Sequence, residues 1–237
     1  MNLLVLLQAT AQGALPVLSS VNEEATKVAA SMNFFDMTLK GGLLMIPLGL
    51  LSILGIYIFF ERLATMNAAS KDNPNFMKKI KDHIYEGQIE SSIKLCKQVN
   101  TPLARMIEKG ISRIGRPMSD VQVSIENVGN VEVAKLEKGI SILASVAGGA
   151  PMIGFLGTVT GMVRAFYDMA NAGNDVNITV LSAGIYTAMV TTVGGLIVGI
   201  SAFFAYNYLV TRVGKIVNNM EAKTLEFMDL LNEPVKK

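Results

Sequence analysis

The stretch GISILASVAGGAPMIGFLGTVTGMV, residues 139–163, runs for 25 residues without a charged side chain, between Lys138 and Arg164. A surface helix of a soluble protein alternates an apolar face with a charged one every 3.6 residues, and this stretch has no charged face. At ~1.5 Å per residue it is long enough to cross the ~30 Å hydrocarbon core of a bilayer. Two more stretches read the same way. Residues 41–60 (GGLLMIPLGLLSILGIYIFF) give 20 uncharged positions between Lys40 and Glu61-Arg62, and residues 176–211 give 36 between Asp175 and Arg212. The third exceeds a perpendicular crossing, so its helix tilts or projects beyond the membrane. A soluble bundle with buried central helices also contains apolar helices, but the missing charged stripe argues against it three times over. The expected fold class is all-α: an integral membrane protein with three transmembrane helices, the second and third long enough to extend into the cytoplasm.

Composition agrees. Of 237 residues, 51% are hydrophobic and 17% charged, and the mean hydropathy of +0.41 is too apolar for an ordinary soluble domain of this size. Lys and Arg (21) nearly balance Asp and Glu (19), so the excess of cations that a nucleic-acid binder needs against phosphates is missing. A single cysteine (Cys96) and a single histidine (His83) exclude disulfide frameworks, clustered Cys/His zinc sites and any triad that needs a second histidine. The expectation is no enzyme, no cofactor and no metal. His83 and Cys96 read as packing or surface residues of ordinary helices.

Cytoplasmic loops are enriched in Lys and Arg, which orients the chain. Residues 61–138 carry thirteen and the tail 212–237 five, against two in residues 1–40 and one in 164–175. The expected layout follows: 1–40 extracytoplasmic, 41–60 the first span, 61–138 a cytoplasmic helical domain, 139–163 the second span, 164–175 a periplasmic loop, 176–211 the third span, and 212–237 a cytoplasmic helix. The N-terminal run Leu3 to Leu7 precedes a small-residue pattern at Ala9-Thr10-Ala11, but the basic start and longer apolar core of a secretory signal are both missing. If retained, residues 19–39 form an amphipathic helix on the outer surface with Phe34 and Phe35 toward lipid.

In the polar middle, FMKKIKDHIYEG, QIESSIKLCKQV and PLARMIEKGISRIG each have helical amphipathic spacing. Thr101 is an N-cap with Pro102 at the first helical position, and Gly87, Gly110 and Gly115 mark helix ends. Ser119 or Asp120 caps a further helix, which contains neither a proline nor a turn cluster before the second span, so it is expected to enter the membrane as one rod. The third span likewise continues past Arg212, giving two rods side by side.

Within the spans, small residues recur four apart, at Gly157 and Gly161 and again at Gly195 and Gly199, and in lipid it is small residues that let helix backbones approach. With Gly154 and Pro151, which can kink the second span, they form the expected packing surface. The first span, bulky and Leu-rich, is the lipid-facing one. The polar groups are hydroxyls. Most bond to their own helix backbone, but Thr187 and Thr191 share one face with Thr192 about 100° further round, and a ring of such threonines in an oligomer would line a polar path. No Asp, Glu, Lys, Arg or His lies within any span, so a titratable group for proton relay must come from a partner helix or a water chain.

The residues LEKGISILASVAGGAPMIGFLGTVTGMVRAF (136–166) and GIYTAMVTTVGGLIVGISAFFAYNY (184–208) resemble the second and third spans of the MotA/TolQ/ExbB proton-channel family. Three spans and a large first cytoplasmic loop resemble its ExbB and TolQ branches, ExbB most closely, rather than the four-span motility stators. The resemblance implies a Gram-negative inner-membrane homopentamer. Its pore would hold an ExbD-like single-span partner that carries a membrane aspartate, and the complex would use the proton-motive force to drive a TonB-like protein in biopolymer transport. By position, Thr158 and Thr192 resemble the family's pore threonines, with Thr187 and Thr191 as helpers. This chain has Thr187 where many members have a glutamate and Ser201 where many have a proline, which leaves H⁺ or Na⁺ open as the coupling ion. TolQ-like envelope maintenance and a non-conducting membrane scaffold remain alternatives; a secondary transporter would need paired repeats that three spans do not offer.

Overall fold

The computed structural model describes residues 41–71, 75–171 and 178–232. These form seven helices with no strand among the described residues: α1 (Met45–Ala69), α2 (Phe76–Tyr85), α3 (Ile89–Val99), α4 (Pro102–Ile111), α5 (Met118–Glu137), α6 (Ile140–Asn171) and α7 (Ile178–Asn232). Three helical stretches, in α1, in α5–α6 and in α7, are long and apolar enough to cross a membrane. The fold is thus the all-α, three-span architecture expected, two of its helices long. The reading of residues 19–39 lies outside the described residues.

The described residues divide into two units, one holding 41–48 with those of 153–195, the other holding those of 49–152 with 196–232. The larger unit has a conventional core. Helices α2 to α5 turn Ile80, Cys96, Ile107 and Ile125 inward, each no more than 0% exposed, and they share one cluster with Met66 of α1 and with Leu209, Met220 and Phe227 of α7. Each such side chain contributes about 1.5–3 kcal/mol by leaving water.

Local signals set the helix ends. Thr101, in extended backbone, accepts a hydrogen bond from the Ala104 N–H at 3.3 Å, and Pro102 opens α4 as expected. Asn100 closes α3 in the left-handed region (φ 48°), which an asparagine tolerates better than most residues. Gly87 and Gly115 sit in turns between helices, and Gly110 is the penultimate residue of α4. Gly110 is a contact glycine as well: an added Cβ there would come within 2.6 Å of the Phe227 ring and 2.7 Å of Ile125. Ser119 and Asp120, by contrast, do not cap α5: the helix begins at Met118 with Pro117 at its N-cap and no side-chain cap bond. The expected single rod into the second span is interrupted as well. Lys138 leaves helical geometry (ψ 128°) and Gly139 takes φ +82°, a conformation glycine adopts without a Cβ penalty. The third rod is unbroken through Asn232.

One charged network is buried in this unit. Glu132 of α5, 3% exposed, accepts from Arg105 of α4 at 2.5 Å and from Lys135 at 2.7 Å, while Arg105 also donates to the Asn100 carbonyl and side chain. Burial alone would raise the Glu132 pKa; the hydrogen bonds and charges of Arg105 and Lys135 outweigh it and hold the carboxyl below its usual range. Arg62 of α1 pairs with Glu61 and donates to the Lys135 carbonyl, tying α1 to the end of α5. Cys96 is free, and burial, aided by the nearby Glu108 charge, pushes its thiol up to about 12. His83 is half-buried in α2.

Candidate ion pathway

The smaller unit contains the expected small residues and hydroxyls, and it brings them together as a helix pair. A Cβ built on Gly154 of α6 would lie 3.1 Å from the Gly195 Cα and 3.2 Å from the Thr192 Cα of α7; one on Gly157 would lie 2.8 Å from the Thr191 Cβ. Gly161 faces Ala188 at 2.7 Å, and Gly184 faces Ala165 at 2.9 Å. As residue number rises along α6 it falls along α7, so the pair is antiparallel, and contacts recur at every three or four residues. Backbones this close are held by dispersion along the contact and by whatever polar groups can reach across.

Thr192 reaches across. Its hydroxyl donates to the Gly154 carbonyl at 2.9 Å, at a place where the missing Cβ of Gly154 lets the Thr192 backbone come close. Thr191, 2% exposed, donates to the Thr187 carbonyl one turn back (3.0 Å) and to the Gly41 carbonyl (2.8 Å), so it fastens the start of the described chain to α7. Thr158 donates to the Phe155 carbonyl of its own helix at 2.7 Å and is half-buried, as are Thr187 and Thr192. The structure therefore joins Thr187, Thr191 and Thr192 with Gly154, Gly157 and Gly195 in one packed seam; Thr158 follows Gly157 directly and bonds only within α6. Gly184, Ala165, Ala188 and Gly41 also belong to the seam. The sequence reading did not name them, although the first three continue the same small-residue spacing. Gly41 carried no such signal, since its partner lies 150 residues away.

In the larger unit, Pro151 packs its ring against Gly199. Proline has no N–H for the carbonyl four residues back, and that carbonyl, Ala147, is 3.1 Å from where a Gly199 Cβ would stand. Gly199 accommodates both the ring and the orphaned oxygen, and α6 continues through the proline. Large apolar side chains point outward not only from α1, as expected (Ile53 and Tyr57), but equally from α6 (Met152, Phe155) and α7 (Met189, Phe204). Among the described residues no cluster of His, Cys, Asp or Glu could hold a metal ion.

Among the described residues the chain is all-α with three membrane-length helices, two of them joined along a seam of glycine, alanine and threonine, the architecture of an integral membrane protein. A family model described as the MotA/TolQ/ExbB proton channel family matches residues 98–222, and the chain belongs to that family. It is 25% identical to the putative biopolymer transport protein ExbB homolog of Methanothermobacter thermautotrophicus, over 80% of this chain and 69% of that protein. It is 27% identical to the Tol-Pal system protein TolQ of Haemophilus influenzae, over 86% of this chain and 96% of that one. A shorter stretch of 88 residues is 39% identical to the biopolymer transport protein ExbB of Aquifex aeolicus, covering 37% of this chain and 59% of the relative.

Proposed function

We propose that the chain is an ExbB-like subunit of an inner-membrane complex that couples the proton-motive force to biopolymer transport through a TonB-like protein. The observation that carries this reading is the seam: a tightly packed α6–α7 pair in a proton-channel family member, supplied with hydroxyls but with no carboxylate of its own. A proton crossing such a seam needs a partner's ionisable group or a water chain. The reading assigns that role to an aspartate on an ExbD-like single-span partner, enclosed by a homopentamer whose α6 and α7 surround it. One charge moved across 100 mV is worth about 2.3 kcal/mol, enough to drive a change in how the partner helix sits if protonation and release alternate across the membrane.

In this reading Thr158 and Thr192 line the path and Thr187 and Thr191 support it, Thr191 by keeping Gly41 and α7 in register. The positive-inside count supports a periplasmic N-terminus and a cytoplasmic C-terminus, with residues 61–138 and the tail inside. The test is proton flux into vesicles holding the chain and its partner. Thr158→Ala and Thr192→Ala are each expected to lower flux about fivefold, the equivalent of one ~1 kcal/mol hydrogen bond; flux that ignores both substitutions would leave a non-conducting scaffold as the better reading.

A TolQ-like role in envelope maintenance is the second reading, favoured by the match to nearly the full length of the TolQ relative. Complementation separates the two. A strain lacking TonB-dependent uptake should be rescued under the first, and a strain with a leaky envelope under the second.

A further inference from the structure

On the larger unit, an apolar groove of about 930 Å³ runs between α1, α6 and α7, lined among others by Phe59, Val146, Ile197, Ser201 and Phe204 and ending at Tyr208 and Lys215. Next to it lies a smaller pocket of about 170 Å³ where Lys71, Arg212 and Lys215 come together with Ser70, Thr101 and Asn219, and no carboxylate lines it. Lys215 borders both. Three cations around one small pocket repel each other unless an anion sits among them. Arg212 lines the small pocket, and its guanidinium lies 5.8 Å from the ring centre of Tyr208 in the groove and donates to the Asn67 side chain at 2.9 Å, while its buried Nε has no acceptor.

We propose that this groove and pocket together bind one anionic phospholipid, the phosphate among Lys71, Arg212 and Lys215 and an acyl chain along the groove. The dimensions fit. From Ile197 to Thr211 α7 advances about 21 Å, which matches one leaflet from midplane to headgroup, half of about 40–45 Å. The chemistry changes at the right place, from hydrocarbon lining to cations just after the last uncharged turn of α7. A phosphate oxygen would give the Arg212 Nε its missing acceptor in a charge-assisted bond. A free phosphate would satisfy the pocket but leave the apolar groove without partner atoms, and this favours the lipid. The proposal stands apart from ion conduction and survives or fails independently of it.

The test reconstitutes the full-length protein in phosphatidylcholine nanodiscs containing a minority of phosphatidylglycerol, extracts it in mild detergent and counts retained phosphatidylglycerol per chain by native mass spectrometry. Wild type is expected to retain about one. The double variant K71Q/K215Q should lose affinity roughly thirtyfold, the sum for two surface cations. K71R/K215R, which keeps both charges, should restore it and so separates loss of the site from loss of the fold. Ser201→Phe, which fills the groove without touching the pocket, should displace the lipid, and millimolar inorganic phosphate should not. Three results would overturn the proposal: retention at the wild-type level by both K71Q/K215Q and Ser201→Phe; displacement by inorganic phosphate with no effect of Ser201→Phe, which marks a free-anion site; or no retained lipid and an oligomer broken by Ser201→Phe, which gives the groove to a second copy of the chain.

Discussion

Glu132 is the most buried charge in the described chain, and its partners decide its behaviour. Its pKa is held down in the fold, so the stability it contributes is fully present above the unfolded value of about 4.3 and is lost as pH falls through the lower folded value. Glu132→Gln is therefore expected to cost about 1–3 kcal/mol at pH 7, because Arg105 and Lys135 lose a charged acceptor. Thermal unfolding in detergent should show the variant melting below wild type at neutral pH, the gap closing only as the pH falls through the lowered folded value. Cys96 makes an opposite kind of prediction. With its thiol raised to about 12 by burial, almost no thiolate exists at pH 8, so maleimide labelling of the folded protein should be slow and should become rapid in a denaturing detergent.

At the scale of elements, the α6–α7 pair depends on which glycines face the other helix. Around Gly154 a methyl group would meet backbone, 3.1 to 3.2 Å from Gly195, Thr191 and Thr192, and backbone cannot rotate aside. Around Gly148 it would meet nothing within 4 Å. Gly154→Ala is thus expected to destabilise by about 1–3 kcal/mol, the usual result of overpacking, and also to loosen the Thr192 bond to the Gly154 carbonyl. Gly148→Ala should be neutral or stabilise by up to about 1 kcal/mol through helix propensity. Comparing the two melting temperatures checks this; equal shifts would mean that the seam is not a close backbone contact. The same logic explains Gly110, whose missing side chain makes room for Phe227 from an element more than 100 positions along the chain.

Across the whole molecule, large apolar side chains face outward from all three membrane helices, yet the uncharged stretches 139–163 and 176–211 are richer in glycine, alanine and threonine than 41–60. Lipid requires only apolar groups, whereas helix contacts require small ones. The proposed pentamer places further copies against α6 and α7 and leaves α1 outermost. Native mass spectrometry of the detergent-purified chain is expected to give a homopentamer that takes up a co-expressed single-span protein with a membrane aspartate. A monomer or dimer that ignores that partner would remove the motor reading and favour the scaffold.

Hydropathy is a property of each segment by itself, so the absence of charge over three stretches was enough to predict three membrane helices and an all-α fold. The 136–166 and 184–208 stretches were specific enough to point to the family. The Thr101-Pro102 start of α4 was equally legible, because a cap involves only neighbours in the chain. Contacts that join distant positions were not. Gly110 read as a helix end, with nothing nearby to show that Phe227 would occupy the space beside it, the rod into the second span broke at Lys138-Gly139 with no proline or turn cluster to announce it, and nothing near Thr191 in sequence indicated a bond to Gly41. Four threonines with similar sequence surroundings end in different places: one bonded across the seam, one buried beneath Gly41, and two half-buried on their own helices. Segment chemistry determined that these helices enter a membrane, whereas rotation about each helix axis and the register of the pair, fixed only where backbone meets backbone, decided which hydroxyls hold the helices together.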